Sequence, residues 1–131
     1  GKFVPASNKA PLLFFAGGIG ITPFISMISH FANTSFFTSV TLLWSCKNET
    51  DFFMTDFFSQ LAKRESLFKY IPFVSTKNRI SKESIISILN NTDTKALNAY
   101  VCGPDNLRYL VQTTLRNYGI ANERIHYERF I

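Results

Sequence analysis

Positions Leu12 to Ala16 are apolar without a break, and a run of that length between turn residues predicts a strand buried on both faces. Glycines interrupt it at once. Phe24, Met27, Ile28 and Phe31 then recur at helical spacing, which predicts a helix with one buried stripe. Thr22 is placed to cap that helix, with Pro23 at its first position, where a missing N–H costs nothing. Val40 to Ser45 reads as a second buried strand, followed by the polar turn Lys47 to Asp51. Beyond it Phe53, Phe57 and Leu61 recur every four residues, a stripe expected to pack in the core, with Asp51 as the helix cap.

The second half of the chain repeats the alternation. Residues 69–75 form a third candidate strand, in which Pro72 lacks a ladder donor and so argues for a sheet edge or a bulge. Ser81 caps a short helix whose Ile85, Ile88 and Leu89 share a face. Residues 99–102 give the fourth strand, and Asp105 is placed to cap a longer helix through Leu107, Leu110, Val111, Thr114 and Tyr118. Gly119 suits a left-handed helix end, and residues 124–130 close the pattern with an alternating strand. Strands alternating with helices predict an α/β fold: a parallel sheet of about five strands with helices on both faces. Ligand crevices of such sheets lie beyond the carboxyl ends of the strands, beside a switch in strand order. That rule selects residues 17–22, 45–47, 75–77 and 102–105 as one rim.

Composition adds boundaries to this picture. With 131 residues, 46% of them hydrophobic, the chain has apolar material for one domain, and no apolar stretch approaches the roughly 20 residues of a membrane span. The net charge of +5 is dispersed, without the basic blocks of a nucleic-acid binder, and suits a small anionic ligand or an acidic partner protein. Two cysteines, Cys46 and Cys102, make neither a disulfide framework nor a metal spacing. They imply free thiols in an intracellular, reducing compartment, the mitochondrion being one candidate. His30 and His126 have no spaced partner, so no metal site is expected. The first residue is Gly, which fits a chain cut from something longer.

Glycines between a buried strand and a helix N-terminus let backbone N–H groups reach a phosphate at the positive end of the helix dipole. The sequence Gly17-Gly18-Ile19-Gly20-Ile21-Thr22-Pro23 departs from the usual dinucleotide and triphosphate signatures, and alone it also fits a turn that merely reverses the chain. Val101-Cys102-Gly103-Pro104 supplies a second buried strand ending in a glycine turn before a helix. Cys102 reads either as a small core residue or, from its place at a strand's carboxyl end, as a functional one.

Taken together, "AGGIGITPFISM", "YVCGPDNL" and the terminal "YERF" resemble the nicotinamide-dinucleotide domain of the ferredoxin-NADP reductase superfamily, above all the oxidoreductase NAD-binding domain-containing proteins. The resemblance covers essentially the whole chain and implies a Rossmann-like sheet. It further implies that Gly17, Gly18, Gly20, Ile21, Thr22 and Pro23 receive the pyrophosphate. Ser45 and Lys47 would lie on the adenosine side, and Cys102, Gly103 and Pro104 beside the nicotinamide. Glu128 and Phe130 match the acidic and aromatic positions of the terminal strand near nicotinamide and flavin, so that Cys102 and Glu128 are the candidate catalytic pair. Leu107 stands where relatives often carry methionine. Residues 1–10 are then a linker from an upstream flavin domain, and 11–131 the NAD(P)-binding domain.

The implied function is to position NAD(P)H for hydride transfer to FAD, which is held mainly by a domain absent from these 131 residues. The implied partners are the nicotinamide dinucleotide and the flavin domain or an electron-acceptor protein. Ser45, Lys47, Lys77 and Arg79 can surround a 2′-phosphate, whereas Glu49 and Asp51 can accept ribose hydroxyls, so NADH and NADPH both stay open. Two other readings also stay open: a dinucleotide-binding module without turnover, serving redox sensing or partner docking, and a sheet protein whose loop binds another phosphate.

Overall fold

In the computed structural model, which describes residues 10–128, five strands and four helices alternate along the chain. The strands are β1 (Leu12–Gly17), β2 (Val40–Cys46), β3 (Phe68–Val74), β4 (Asn98–Cys102) and β5 (Ile125–Glu128). The helices are α1 (Thr22–Asn33), α2 (Thr55–Arg64), α3 (Lys82–Asn90) and α4 (Asp105–Tyr118). All four strand pairings are parallel and the spatial order is β3-β2-β1-β4-β5. The chain therefore builds outward from β1 to β3, then crosses back to lay β4 on the other side of β1. That reversal puts the switch point between β1 and β4.

Because successive strand residues face opposite sides, the sheet divides the core in two. Leu12, Phe14, Leu42 and Trp44 pack beneath α1 and α2, against Phe24, Ile28 and Phe58. Leu13, Phe15, Leu43 and Val101 pack beneath α3 and α4, against Ile85, Val111 and Leu115. β3 is an edge strand, as Pro72 requires. Ser81 caps α3 reciprocally: its hydroxyl accepts from the Ser84 N–H at 3.1 Å, and the Ser84 hydroxyl accepts from the Ser81 N–H at 2.8 Å. Gly119 ends α4 at φ 112°, in the left-handed region.

Four local expectations are corrected. Thr22 does not cap α1: a 3₁₀ turn over Gly18–Ile21 runs straight into the helix, Ile21 holds the cap position, and the Thr22 hydroxyl donates back to the Ile19 carbonyl at 3.0 Å. Asp51 belongs to a separate 3₁₀ turn, Glu49–Asp51, where its carboxylate accepts from the Asn48 N–H at 3.1 Å. Since α2 begins only at Thr55, Phe53 precedes the helix and is 62% exposed, and Phe57 is only partly buried; Leu61 is in the core as expected, joined there by Phe52 and Phe58. Pro104, not Asp105, holds the cap position of α4, and no side chain caps that helix. The expectation for Phe130, the aromatic position of the terminal strand, lies outside the described residues.

Candidate functional site

The turn after β1 and the turn after β4 meet. A Cβ built on Gly20 would overlap the carbonyl oxygen of Cys102 and lie 2.7 Å from its carbonyl carbon. One built on Gly17 would lie 2.8 Å from Pro104 Cδ, and one on Gly103 3.0 Å from the Gly17 nitrogen. These glycines are required by the protein's own backbone, which fits two loops together at the switch point. Gly18 differs. Its φ is 56°, a left-handed conformation, and a Cβ there would meet no protein atom within 4 Å. It is the glycine of this loop whose bareness leaves room for something outside the chain.

From below, Trp44 holds this loop: its indole N–H donates to the Gly18 carbonyl at 2.9 Å. The indole is fully buried and met edge-on by Phe52, Phe53 and Phe58, with ring centroids 5.0, 5.5 and 5.9 Å away. No side chain caps the 3₁₀ turn or the start of α1; the Thr22 N–H is bonded back to the Ile19 carbonyl, and Gly18 and Ile19 at the head of the turn are exposed.

A cleft of about 1110 Å³ opens beyond the carboxyl ends of the strands, and all four expected rim loops line it. Gly17, Gly18 and Ile19 come from the first, Ser45, Cys46 and Lys47 from the second, Ser75, Arg79 and Ile80 from the third, and Gly103 to Leu107 with Leu110 from the fourth and α4. The volume, about 1110 Å³, lies just above the usual range of ligand cavities, roughly 300–1,000 Å³.

Among the residues singled out from the sequence, Gly17, Gly18, Ser45, Lys47, Arg79, Gly103, Pro104 and Leu107 are on the wall. Gly20 and Ile21 are buried behind it, and Thr22 and Pro23 form the first turn of α1. Lys77 is not on the wall; its ammonium lies 2.6 Å from Glu49, and this pair pulls the Glu49 carboxyl below its usual range. Cys102 is 2% exposed and packs on the α1 side of the sheet. Glu128, half-buried at the end of β5, is its register partner. Ile19 and Cys46 line the cleft from within the expected rim loops, whereas Ile80, Asn106 and Leu110 line it without having been anticipated. A signal existed for Ile80: it directly precedes the Ser81 cap and Ile85 follows at the fourth helical position, the pattern of a hydrophobic staple.

The two histidines serve other ends. His30 is exposed on α1, while His126 stacks on Tyr100 with centroids 4.5 Å apart and shares a hydrogen bond with Asn98 at 2.9 Å. Burial lowers its pKa. Among the described residues no three His, Cys, Asp or Glu side chains converge on a metal site, and no helix is long and apolar enough to cross a membrane.

Burial, reinforced by the Asp51 carboxylate and partly offset by a hydrogen bond with the Gly18 backbone, pushes the Cys46 thiol up to about 11. Burial and then Glu128 push the Cys102 thiol up, and burial raises Tyr70, whose hydroxyl is 3.0 Å from that of Thr55. Each of these groups holds its proton more firmly folded than unfolded. Their contribution is therefore complete below the unfolded pKa and is lost as pH rises through the folded one. Stability should fall between about pH 9 and 11, and Cys46→Ala should flatten that fall; urea unfolding across this range measures it.

Two glycine turns joined at a switch point, the first turn of α4 along the cleft and a wall carrying two cations define a nucleotide-binding α/β domain. Residues 14–113 match the oxidoreductase NAD-binding domain family, and the chain belongs to it. It is 28% identical to flavohemoprotein A of Dictyostelium discoideum over 94% of this chain and 31% of that protein. It is likewise 28% identical to the anthranilate 1,2-dioxygenase electron transfer component of Acinetobacter baylyi, over 100% of this chain and 40% of the relative. The flavohemoglobin of Malassezia yamatoensis, solved with bound FAD and heme, shares the fold at a TM-score of 0.79 and 20% identity, over 96% of this chain and 33% of that one. The chain thus spans about a third of the length of the curated relatives it matches.

Proposed function

We propose that this chain is the nucleotide-holding part of an NAD(P)H-dependent flavin oxidoreductase. The observation that carries the reading is the joined pair of glycine turns at the β1–β4 switch point, with open space over Gly18 and the cleft beside it. Bound there, NAD(P)H would supply a hydride to a flavin held by another part of the protein. This chain's task is placement. Gly18, with Gly17 beside it on the wall, admits the pyrophosphate to the backbone at the α1 end, while Gly20, Ile21, Thr22 and Pro23 hold that turn in shape from behind. Gly103, Pro104 and Leu107 wall the nicotinamide end, with Cys102 and Glu128 just beneath it. The residues fit this use: the Cys102 thiol stays neutral, so it positions and does not attack. Two free, buried cysteines support a reducing compartment.

Calorimetric titration of the full chain with NADH and NADPH tests the reading, followed by bleaching of the flavin absorbance in the parent protein. Binding of at least one nucleotide and flavin reduction are expected, and binding of neither overturns it. Cys102→Ala should slow hydride transfer roughly tenfold, through loss of ring placement, with nucleotide affinity nearly unchanged. Stopped-flow reduction against equilibrium titration separates the two effects.

A further inference from the structure

The two long walls of the cleft differ in charge. On the β2–β3 side stand Ser45, Lys47, Ser75 and Arg79, two hydroxyls and two cations. The carboxylate among the lining residues, Asp105, stands on the opposite side, at the first turn of α4. The two carboxylates nearest in sequence to Lys47 are engaged elsewhere. Glu49 is clasped by Lys77 at 2.6 Å, and an Asp51 carboxylate oxygen accepts the Asn48 N–H at 3.1 Å.

The loops that carry the two cations are tied to each other. The Ser75 N–H donates to the Cys46 carbonyl at 2.8 Å, and the Thr76 hydroxyl to the Lys47 carbonyl at 3.2 Å. Within the β3–α3 loop, the N–H groups of Lys77 and Asn78 both donate to the Val74 carbonyl at 2.8 Å. Lys47 and Arg79 therefore project from one joined platform. A ribose diol is recognised by an acidic acceptor, whereas a ribose phosphate is recognised by hydroxyls and cations, with arginine suited to two phosphate oxygens at once.

We infer that the β2–β3 wall selects the 2′-phosphorylated dinucleotide, NADPH, through Lys47 and Arg79, and that the Lys77–Glu49 clasp enforces the choice by withholding the carboxylate a free ribose would need. The inference rests on the reading of the cleft as a nicotinamide-dinucleotide site. Lys77 thereby acts on specificity through Glu49 and not through the ligand.

The test is titration of the full chain with NADPH and NADH, and with adenosine 2′,5′-bisphosphate and AMP as probes of the adenosine wall alone. The bisphosphate should bind at least about tenfold tighter than AMP, and its affinity should fall more steeply with salt. Arg79→Ala and Lys47→Ala should each lower NADPH affinity about tenfold and leave NADH within about twofold. Arg79→Lys should recover part of the loss. Lys77→Ala should move the preference toward NADH by roughly threefold, the small effect of an exposed pair, and Glu49→Gln in addition should cancel that movement. Equal affinity for NADH and NADPH, or variants that weaken both alike, overturns the inference and leaves the dinucleotide site standing. Binding of neither nucleotide overturns both.

Discussion

Gly20→Ala is expected to destabilise the protein by about 3 kcal/mol and to abolish nucleotide binding. The added methyl would overlap the Cys102 carbonyl oxygen and crowd its carbon at 2.7 Å and the Gly103 nitrogen at 3.1 Å. None of these atoms can step aside. They belong to the end of β4, which is paired with β1 through Ala16 on one side and with β5 through Glu128 on the other. Relief must come from moving the turn at residues 17–22, and that movement opens the junction between the two glycine loops. Urea unfolding should show a lower midpoint at an unchanged slope, and calorimetry no nucleotide heat. Gly18→Ala provides the contrast. Its methyl meets no protein atom, so the cost to folding is only the left-handed strain, about 1 kcal/mol, while the methyl takes up space beside the cleft and weakens binding. A Gly20→Ala protein as stable as the parent would mean that the two loops are not locked together.

The second large effect is at Trp44. Trp44→Ala should cost about 3–5 kcal/mol, because it empties a fully buried site against which three phenylalanine rings pack edge-on. Trp44→Phe keeps most of that packing and removes the N–H that holds the Gly18 carbonyl, at a cost of about 1 kcal/mol. The conservative variant is the informative one. It should stay folded yet bind nucleotide more weakly, because the loop that shapes the entrance loses its anchor from the core. Unfolding and titration measured on the same preparation separate the two consequences. Weak folding with unaltered binding would show that the indole is only filler.

The strands were legible because burial on both faces writes an unbroken apolar run, as in Leu12 to Ala16 and Val40 to Ser45. Their order was not, although the carboxyl-end rule was enough to bring four distant loops to one rim. Helix starts were read less well, and for a common reason. A glycine turn that coils as 3₁₀ ahead of α1 moves the cap from Thr22 to Ile21, and a polar turn that coils before α2 puts Phe53 outside the helix and shifts the buried stripe to Phe58. Periodicity fixes which residues share a face only once the first helical residue is known.

In the site, Gly17, Gly18 and Gly103 could be found because a bare backbone is visible in the sequence. The reason for Gly20 could not, since the atom it avoids belongs to Cys102, far along the chain. The Lys77–Glu49 pair was hidden in the same way, being 28 residues apart and joined only when β3 lies beside β2. Asn106 and Leu110 line the cleft because the first two turns of α4 lie along it, a placement that the helical pattern alone does not reveal.

Pro72, opposite Trp44 on the outermost strand, has a wider meaning. With no amide hydrogen at its fifth residue of seven, β3 presents an interrupted template to any incoming chain, so this flank resists recruiting another strand. Aggregation by runaway sheet growth, the route to fibrils, is thereby discouraged along this flank.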